Sequence, residues 1–480
     1  MTHRPSVILF RRDLRLADNP ALAAAASRGG PVIPLFVLDE TEPFAPRGAG
    51  RWWLHHSLAR LTARFRACGA PLILRRGAMI DEVRAVIRET GAAAAFWNRR
   101  YEPVEIEADK ALKAGLSESG VEAHSFNGAL IREPWEVKTG AGGPYQVYTP
   151  YSRALRGLGA AREHVAAPKA IATFENPPRS DDLSDWSLLP HKPDWAAEFP
   201  DGWTPGEEGA INALGAFLDG AAKNYALDRD RPDLDGVSRL SPHLAFGEIS
   251  VLTLWRAVEI ARESGRIRQE DADKYLSELA WREFSYHLLY HNPEIAEAPL
   301  RDNFRRFPWR DDRPGFTAWS KGLTGYPIVD AGMRQLWRTG WMHNRVRMIT
   351  ASFLVKDMLI DWRLGEKWFR DTLVDADAAN NPANWQWVAG CGADASPWFR
   401  IFNPVTQGEK FDPQGDYVRR FAPELSKLPP KYIHKPWQAP AETLEAADVK
   451  LGVTYPAPIV DHGKARQRAL QAYEALSKTD

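Results

Sequence analysis

Cysteine is nearly missing from this chain. Among 480 residues only Cys68 and Cys391 occur, far apart, and no Cys/His cluster has the spacing of a zinc site. A disulfide framework and a structural metal are excluded on that pattern, and a reducing, cytoplasmic setting is expected. Long apolar runs are also absent. The opening MTHRPSVILFRRDLR meets its charges before any export-type segment forms, and no run reaches membrane-spanning length. Neither export nor a membrane span is indicated. Net charge is the third absence: Lys plus Arg and Asp plus Glu both total 62, so a polyanion must be met by a local basic site. Finally, no G-x-G-x-x-G follows the first apolar run, which argues against a dinucleotide cradled there by the usual glycine turn.

What is abundant is tryptophan. The chain has 19, most of them between Trp281 and Trp437, and a helical domain that fills its core with indoles accounts for many of them. The length favours two domains. In the first quarter, VILF (7–10), VIPLFVL (32–38), PLILRR (71–76), AAAAFW (92–97) and VEAHSF (121–126) read as buried strands. They alternate with amphipathic stretches such as RWWLHHSLARLTARFRACG, the pattern of a doubly wound five-stranded parallel sheet. From Asn127 to Pro205 the pattern dissolves into Pro, Gly, Ser and isolated aromatics, which reads as a linker laid over the surface. Beyond it the apolar spacing is helical almost to the end. The expected organisation is an α/β domain over 1–130, an interdomain linker over 131–205, and an all-α domain over 206–480.

Chemistry concentrates in the helical part. On a helix through DADKYLSELAWREFSYH, Tyr275, Glu278, Arg282 and Ser285 share one face, with Trp281 beside it. An exposed Glu278–Arg282 ion pair is the plain account of that spacing, and a pocket floor the alternative. In GWMHNRVRMITASFLVKDMLIDW, read as one helix, Asn344, Arg347 and Met348 fall on one face and Arg345 off it. Arg347 is a candidate partner for Asp375. DADAANNPANWQWVAG packs two carboxylates, three asparagines and two tryptophans into sixteen residues. Asn381 before Pro382 reads as a helix N-cap, and Trp385 and Trp387 point to nearly opposite sides of that helix. Arg301, Arg305, Arg306, Arg310, Arg313, Arg334, Arg338, Arg345 and Arg347, interleaved with Trp309, Trp319, Trp337 and Trp341, fit either a solvated face or phosphate binding beside a stacking surface.

The long segments TGYPIVDAGMRQLWRTGWMHNRVRMITASFLVKDMLIDWR and DADAANNPANWQWVAGCGADASPWFRIFNPVTQGEKFD resemble the flavin-binding core of the DNA photolyase and cryptochrome family. FRRDLRLADNPAL and RWWLHHSL resemble the same family, so the likeness covers nearly the whole chain. The resemblance implies FAD held non-covalently in the helical domain, an antenna in or beside the α/β domain, and light-driven electron injection into a cyclobutane pyrimidine dimer flipped out of DNA. Tyr225 with Val237, Ser238, Arg239, Leu240 and Ser241 then corresponds to the loop around the FAD phosphates, Val237 standing where many relatives have Thr. Glu278, Trp281 and Arg282 correspond to the lesion-contacting Glu, the stacking Trp and the cofactor-side Arg. Trp387 matches the second indole bordering the lesion, and Asn344 and Met348 lie with them. Asp375 and Asp377 match carboxylates near the flavin, Arg347 the cation that pairs with the first, and Asn381 the residue at flavin N5. Trp385, Trp362 and Trp309 match the family's electron relay for photoreduction, and Arg229, Arg345 and Arg400 positions that grip phosphates around the lesion.

Photolyases for the six-four photoproduct carry His where this chain has Asn344, so the resemblance favours the cyclobutane dimer. A light-signalling cryptochrome without repair activity is the rival reading. Plant-type members carry Asp opposite N5, whereas this chain has Asn381. A plain flavin electron-transfer enzyme is a third reading, weakened by the missing nicotinamide fingerprint. The N-terminal half is most similar to the bacterial class III enzymes, which implies a 5,10-methenyltetrahydrofolate antenna, a deazaflavin being the alternative. Ligands of open α/β sheets sit beyond the carboxyl ends of the strands, which points to Asp39, Glu40, Arg51, Trp52, Asn98 and Glu102. Repair by this chemistry requires only a monomer and no metal.

Overall fold

A computed structural model describes residues 4–394 and 399–477. Five apolar runs form strands β1 (Ser6–Phe10), β2 (Val32–Leu38), β3 (Ile73–Arg76), β4 (Ala94–Asn98) and β5 (Glu122–Phe126). All neighbours run parallel in the order β3-β2-β1-β4-β5. The register sets Leu9 between Leu35 and Trp97. Strands β1, β2 and β4 are buried throughout because helices cover both faces of the sheet. The side chains of β1 divide cleanly between those faces. Ile8 and Phe10 join Phe36 and Phe96 in one apolar cluster, while Val7 and Leu9 join Leu35 and Trp97 in another.

The covering helices are α1 (Pro20–Ser27), α2 (Gly48–Ala67), α3 (Met79–Thr90) and α4 (Pro103–Glu118). Helix α1 starts where its chemistry says it should: Asn19 accepts the Leu22 N–H at 3.1 Å and Pro20 takes the first turn. Strand β5 departs from the expectation of a buried strand. It is the sheet edge, and its residues EAHSF are exposed to half-buried, as polar edge residues should be.

The segment expected as a surface linker is instead structural. It holds helix α5 (Tyr148–Leu158), whose Tyr151 and Leu155 enter the helical core. Ile171, Trp186, Leu188, Phe199 and Trp203 enter the α/β core. Each aromatic plugs a separate gap, so no period announces the burial.

Four further helices build the site: α6 (Gln269–His291), α7 (Asn344–Ser352), α8 (Trp362–Thr372) and α9 (Asn380–Ala389). The single helix expected across 344–362 is broken. After α7 a π-helical turn spans Phe353–Asp357, Leu359 sits at φ 54°, and Asp361 starts α8 by accepting the Arg363 N–H at 2.9 Å. Met358, Leu359 and Ile360 are all buried, which mimics helical periodicity through the break. The two halves are clasped directly. Arg15 donates to the Gly247 carbonyl at 2.9 Å, the Trp53 indole to Glu248 at 3.0 Å, and Arg12 to the Ala376 carbonyl at 3.3 Å. Gly247 has φ 66°, and a Cβ there would lie 2.1 Å from the Arg12 carbonyl oxygen, so only glycine fits this contact. Among the described residues no helix is long and apolar enough to cross a membrane, and no cluster of metal-ligating side chains occurs.

Candidate functional site

A cavity of about 500 Å³ opens among α6, α7, α8, α9 and the segment 225–245, a size typical of cofactor pockets. Tyr225, Ser238, Leu240 and Ser241 line one wall. Tyr275, on α6, donates its hydroxyl to Ser238 at 3.2 Å and so ties that segment to the helix. Val237 and Arg239 stand behind the wall. Arg239 adopts φ 52° and lays its guanidinium over Trp341, 5.6 Å from the ring centroid.

From α6 the cavity receives Glu278, Trp281 and Arg282. The Glu278–Arg282 ion pair that the spacing allows does not form, and these residues line the cavity as the pocket-floor alternative has it. Glu278 pairs with Arg229, and Arg282 donates to Glu283 at 3.1 Å and to the Ala129 carbonyl at 3.0 Å. From α7 come Asn344, Arg347 and Met348, and Arg345 as well. Arg345 was expected off that line. In the first turn of the helix it nevertheless lines the same cavity and pairs with Asp230 at 2.7 Å.

Asp375 is the anchor of the opposite wall. Its Oδ2 takes Arg347 at 2.7 Å and the Ser241 hydroxyl at 2.6 Å, while its buried Oδ1 has no partner. Asp377 acts as the cap of α9, its Oδ1 accepting the Ala379 and Asn380 N–H groups at 2.8 and 2.7 Å, and its Oδ2 takes the Tyr286 hydroxyl at 2.6 Å. Asn381 was read as that cap. It lies instead inside the first turn, where its Nδ2 donates to the Glu366 carbonyl and to Glu366 Oε1, both at 3.0 Å. With both amide protons engaged, Oδ1 is the atom left for the cavity. Burial raises the Glu366 pKa, partly offset by Arg370 at 2.8 Å.

Trp385 is buried and Trp387 half-buried, and both reach the cavity. Trp362 is buried in the same apolar cluster as Trp385, and the partly exposed Trp309 packs against it. These two stand away from the cavity wall. Arg400 is exposed and outside it. The arginine-rich stretch does not form one patch, since Arg305, Arg313, Arg334 and Arg338 each face a carboxylate, of Asp302, Asp311, Glu424 and Glu198.

The six residues assigned to an antenna occupy several surroundings. Asn98 and Glu102 line a space of about 30 Å³ between the two halves, room for one or two waters. Asn98 donates to Asp13 and Asn19, and Glu102 pairs with Arg100, its pKa at about 2 because that attraction and hydrogen bond outweigh the cost of burial. Glu40 bridges Arg51 and Arg76 at the surface, Asp39 accepts the Met79 N–H at 2.9 Å, and Trp52 is buried against Phe199. Glu366 and Asp230 were missed. Glu366 and Arg370 look like an ordinary exposed pair at helical spacing, and only the tertiary fold turns that carboxylate toward Asn381.

Two family models match the chain: DNA photolyase over residues 6–169, and the FAD binding domain of DNA photolyase over residues 275–475. The chain is 56% identical over 476 residues to the deoxyribodipyrimidine photo-lyase of Agrobacterium fabrum, covering 99% of this chain and 98% of that one. It belongs to the DNA photolyase and cryptochrome family. Its structure matches a bacterial class III photolyase from Agrobacterium tumefaciens with a TM-score of 0.97 at 55% identity, covering 100% of this chain and 98% of that one. Cryptochrome-1 of Arabidopsis thaliana is 39% identical over 98% of this chain and 70% of that protein. The family is thus class III photolyase, with plant cryptochromes related at lower identity. The cavity fits the FAD that the matched domain binds. It offers an unpartnered carboxylate oxygen at Asp375, a bare acceptor at Asn381, and the Ser238 hydroxyl as a donor for an anionic group.

Proposed function

We propose that this chain is a light-dependent deoxyribodipyrimidine photo-lyase that splits cyclobutane pyrimidine dimers in DNA. The observation that carries the reading is one cavity holding two sets of groups. Asp375, Asp377, Asn381 and Arg347 form a cage suited to a flavin. Trp281, Trp387, Glu278, Asn344 and Met348 form a mouth suited to an unstacked base pair, flanked by Arg229 and Arg345 for phosphates.

FAD, when bound, reduced and excited by blue light, supplies the electron that opens the cyclobutane ring. Around it the side chains hold geometry and charge. Arg347 and Ser241 hold Asp375 in place through Oδ2, which leaves Oδ1 as the atom that would accept a hydrogen bond from the cofactor. Glu366 engages both Asn381 protons, so Asn381 would present only its oxygen to a bound flavin and would have no proton to deliver, which suits an anionic donor. Trp281 and Trp387 replace part of the stacking a dimer loses on leaving the duplex, about 1–3 kcal/mol per base, and Glu278, released from Arg229, contacts the lesion. Trp385, Trp362 and Trp309 would relay an electron toward the cavity for photoreduction of a bound oxidised flavin, indole being readily oxidised. The α/β half carries 5,10-methenyltetrahydrofolate as antenna, a reading that rests on the class III likeness. Absorption of the chromophore released on mild denaturation checks it, and a deazaflavin spectrum would sink it.

The test is blue-light repair of an oligonucleotide carrying one thymine cyclobutane dimer, by protein whose flavin is prereduced, against a dark control. Light-dependent recovery of intact thymines is expected. No recovery with FAD bound and reduced would put a cryptochrome-type light receptor in its place.

A further inference from the structure

Tyr148 lies flat on Trp281. Their ring centroids are 3.6 Å apart and their planes 5° from parallel. Aromatic pairs favour offset or edge-on arrangements with centroids 4.5–7 Å apart, so a face-to-face contact this short needs other forces to hold it. Two are visible. The Tyr148 hydroxyl donates to the Ser277 carbonyl at 2.8 Å and lies 2.7 Å from the Ser277 hydroxyl, one turn before Trp281 on the same helix. Behind it, Tyr151 of α5 packs on Phe284 of α6 at 5.0 Å, fixing the two helices against each other. The phenol is thus clamped at both ends over the indole. Trp281 lines the cavity and Tyr148 does not, so the phenol covers one face of the indole and leaves the other to the cavity. Such a departure from local preference belongs at functional positions.

We propose that Tyr148 is a positioning residue for lesion recognition: it fixes the plane of Trp281 so that the indole's free face is presented, already ordered, to a flipped-out pyrimidine dimer. This rests on the photo-lyase reading above. Without the phenol, Trp281 turns about its side-chain bonds in the unbound state, and binding the dimer must then immobilise it. Ordering one such side chain weakens binding by roughly three- to tenfold. Undamaged duplex, which sends no base into the cavity, gains nothing from the stack.

The experiment compares Tyr148→Leu and Tyr148→Phe with the unmodified holoprotein. Affinities are measured in the dark for an oligonucleotide with one thymine cyclobutane dimer and for the same sequence undamaged, alongside flavin content and thermal midpoint. Tyr148→Leu is expected to lose roughly three- to tenfold in dimer affinity with undamaged affinity and flavin content unchanged. Tyr148→Phe, which keeps the ring but loses the hydroxyl clamp, is expected to fall between Tyr148→Leu and the unmodified protein. In a Trp281→Ala background, Tyr148→Leu should add nothing further, because the effect acts through the indole. Dimer affinity unchanged in Tyr148→Leu, or both affinities falling together, would overturn the proposal while leaving the photo-lyase reading intact. An unmodified protein with no preference for the dimer would overturn that reading, and this inference with it.

Discussion

Asp375 divides its two oxygens between the protein and the cavity. Oδ2 is committed to Arg347 and Ser241, and Oδ1 is buried without a partner. Replacing it with Asn removes the charge that Arg347 faces and leaves an amide that matches only one of the two demands. Hydrogen bonds to charged groups contribute about 1.5–3 kcal/mol. Asp375→Asn is therefore expected to weaken FAD retention by about ten- to a hundredfold, read as flavin absorbance remaining after gel filtration. Retention equal to the unmodified protein would remove Asp375 from the flavin cage. Trp362 provides a second check at this scale. Trp362→Phe keeps most of the buried volume and removes the oxidisable indole, so blue-light flavin reduction is expected to slow at least tenfold while repair by prereduced enzyme is spared. Unchanged photoreduction would show that another aromatic route suffices. The Arg347–Asp375 pair was legible in the sequence because both partners sit in unusual motifs. The Glu366–Asn381 contact was not, because nothing local distinguishes Glu366 from a surface glutamate.

Elements succeed or fail by the signals at their ends. Strand runs and α6 were readable from apolar spacing, since burial on one or both faces imposes it directly. The break between α7 and α8 was hidden because Met358 to Ile360 are buried for tertiary reasons, and α5 was hidden inside a stretch whose buried aromatics have no period. The α8–α9 contact shows how closely these elements are fitted. A Cβ on Gly365 would fall 2.2 Å from the Trp385 ring and 2.7 Å from Leu354. The space was not apparent from sequence, because glycine in a helix reads only as a weak position. Gly365→Ala is expected to destabilise by about 1–3 kcal/mol, as overpacking a core does, even though alanine is the better helix former. Because the displaced ring is the inner member of the tryptophan relay proposed above, photoreduction should slow in the same variant. Urea midpoints with photoreduction rates check both. A variant as stable as the parent, with normal rates, would mean that the helices separate freely at this contact.

At the scale of the whole molecule, the segment entering from the α/β half is pinned to the helical half by a buried carboxyl. Glu283 accepts the Ile131 N–H at 2.7 Å and the Arg132 N–H at 3.4 Å, and lies 3.1 Å from Arg282. Burial pushes its pKa up from 4.5 to about 7, against the pull of Arg282 and the two N–H groups, with Glu133 pushing the same way. The native state therefore holds a proton on Glu283 over a range where the unfolded chain has lost it. Stability from this group is fully present below about pH 4.5 and is lost as pH rises toward 7. Asp412 and Glu42, raised to about 7 and about 8 by burial, slope the same way, whereas His287 and His343, lowered to about 4 by burial, slope oppositely. The raw pH profile therefore mixes cancelling contributions, and the informative quantity is a difference. Glu283→Gln keeps an acceptor for the Ile131 N–H and removes the titration. The stability of the unmodified protein relative to this variant is expected to fall with pH between about 5 and 7, by at most about 1.4 kcal/mol per unit. Urea unfolding of both proteins across that range measures it. A difference independent of pH would mean that Glu283 is ionised throughout, held by Arg282 and the strap it fastens, and a difference that grows with pH would reverse the assignment of burial as the dominant effect.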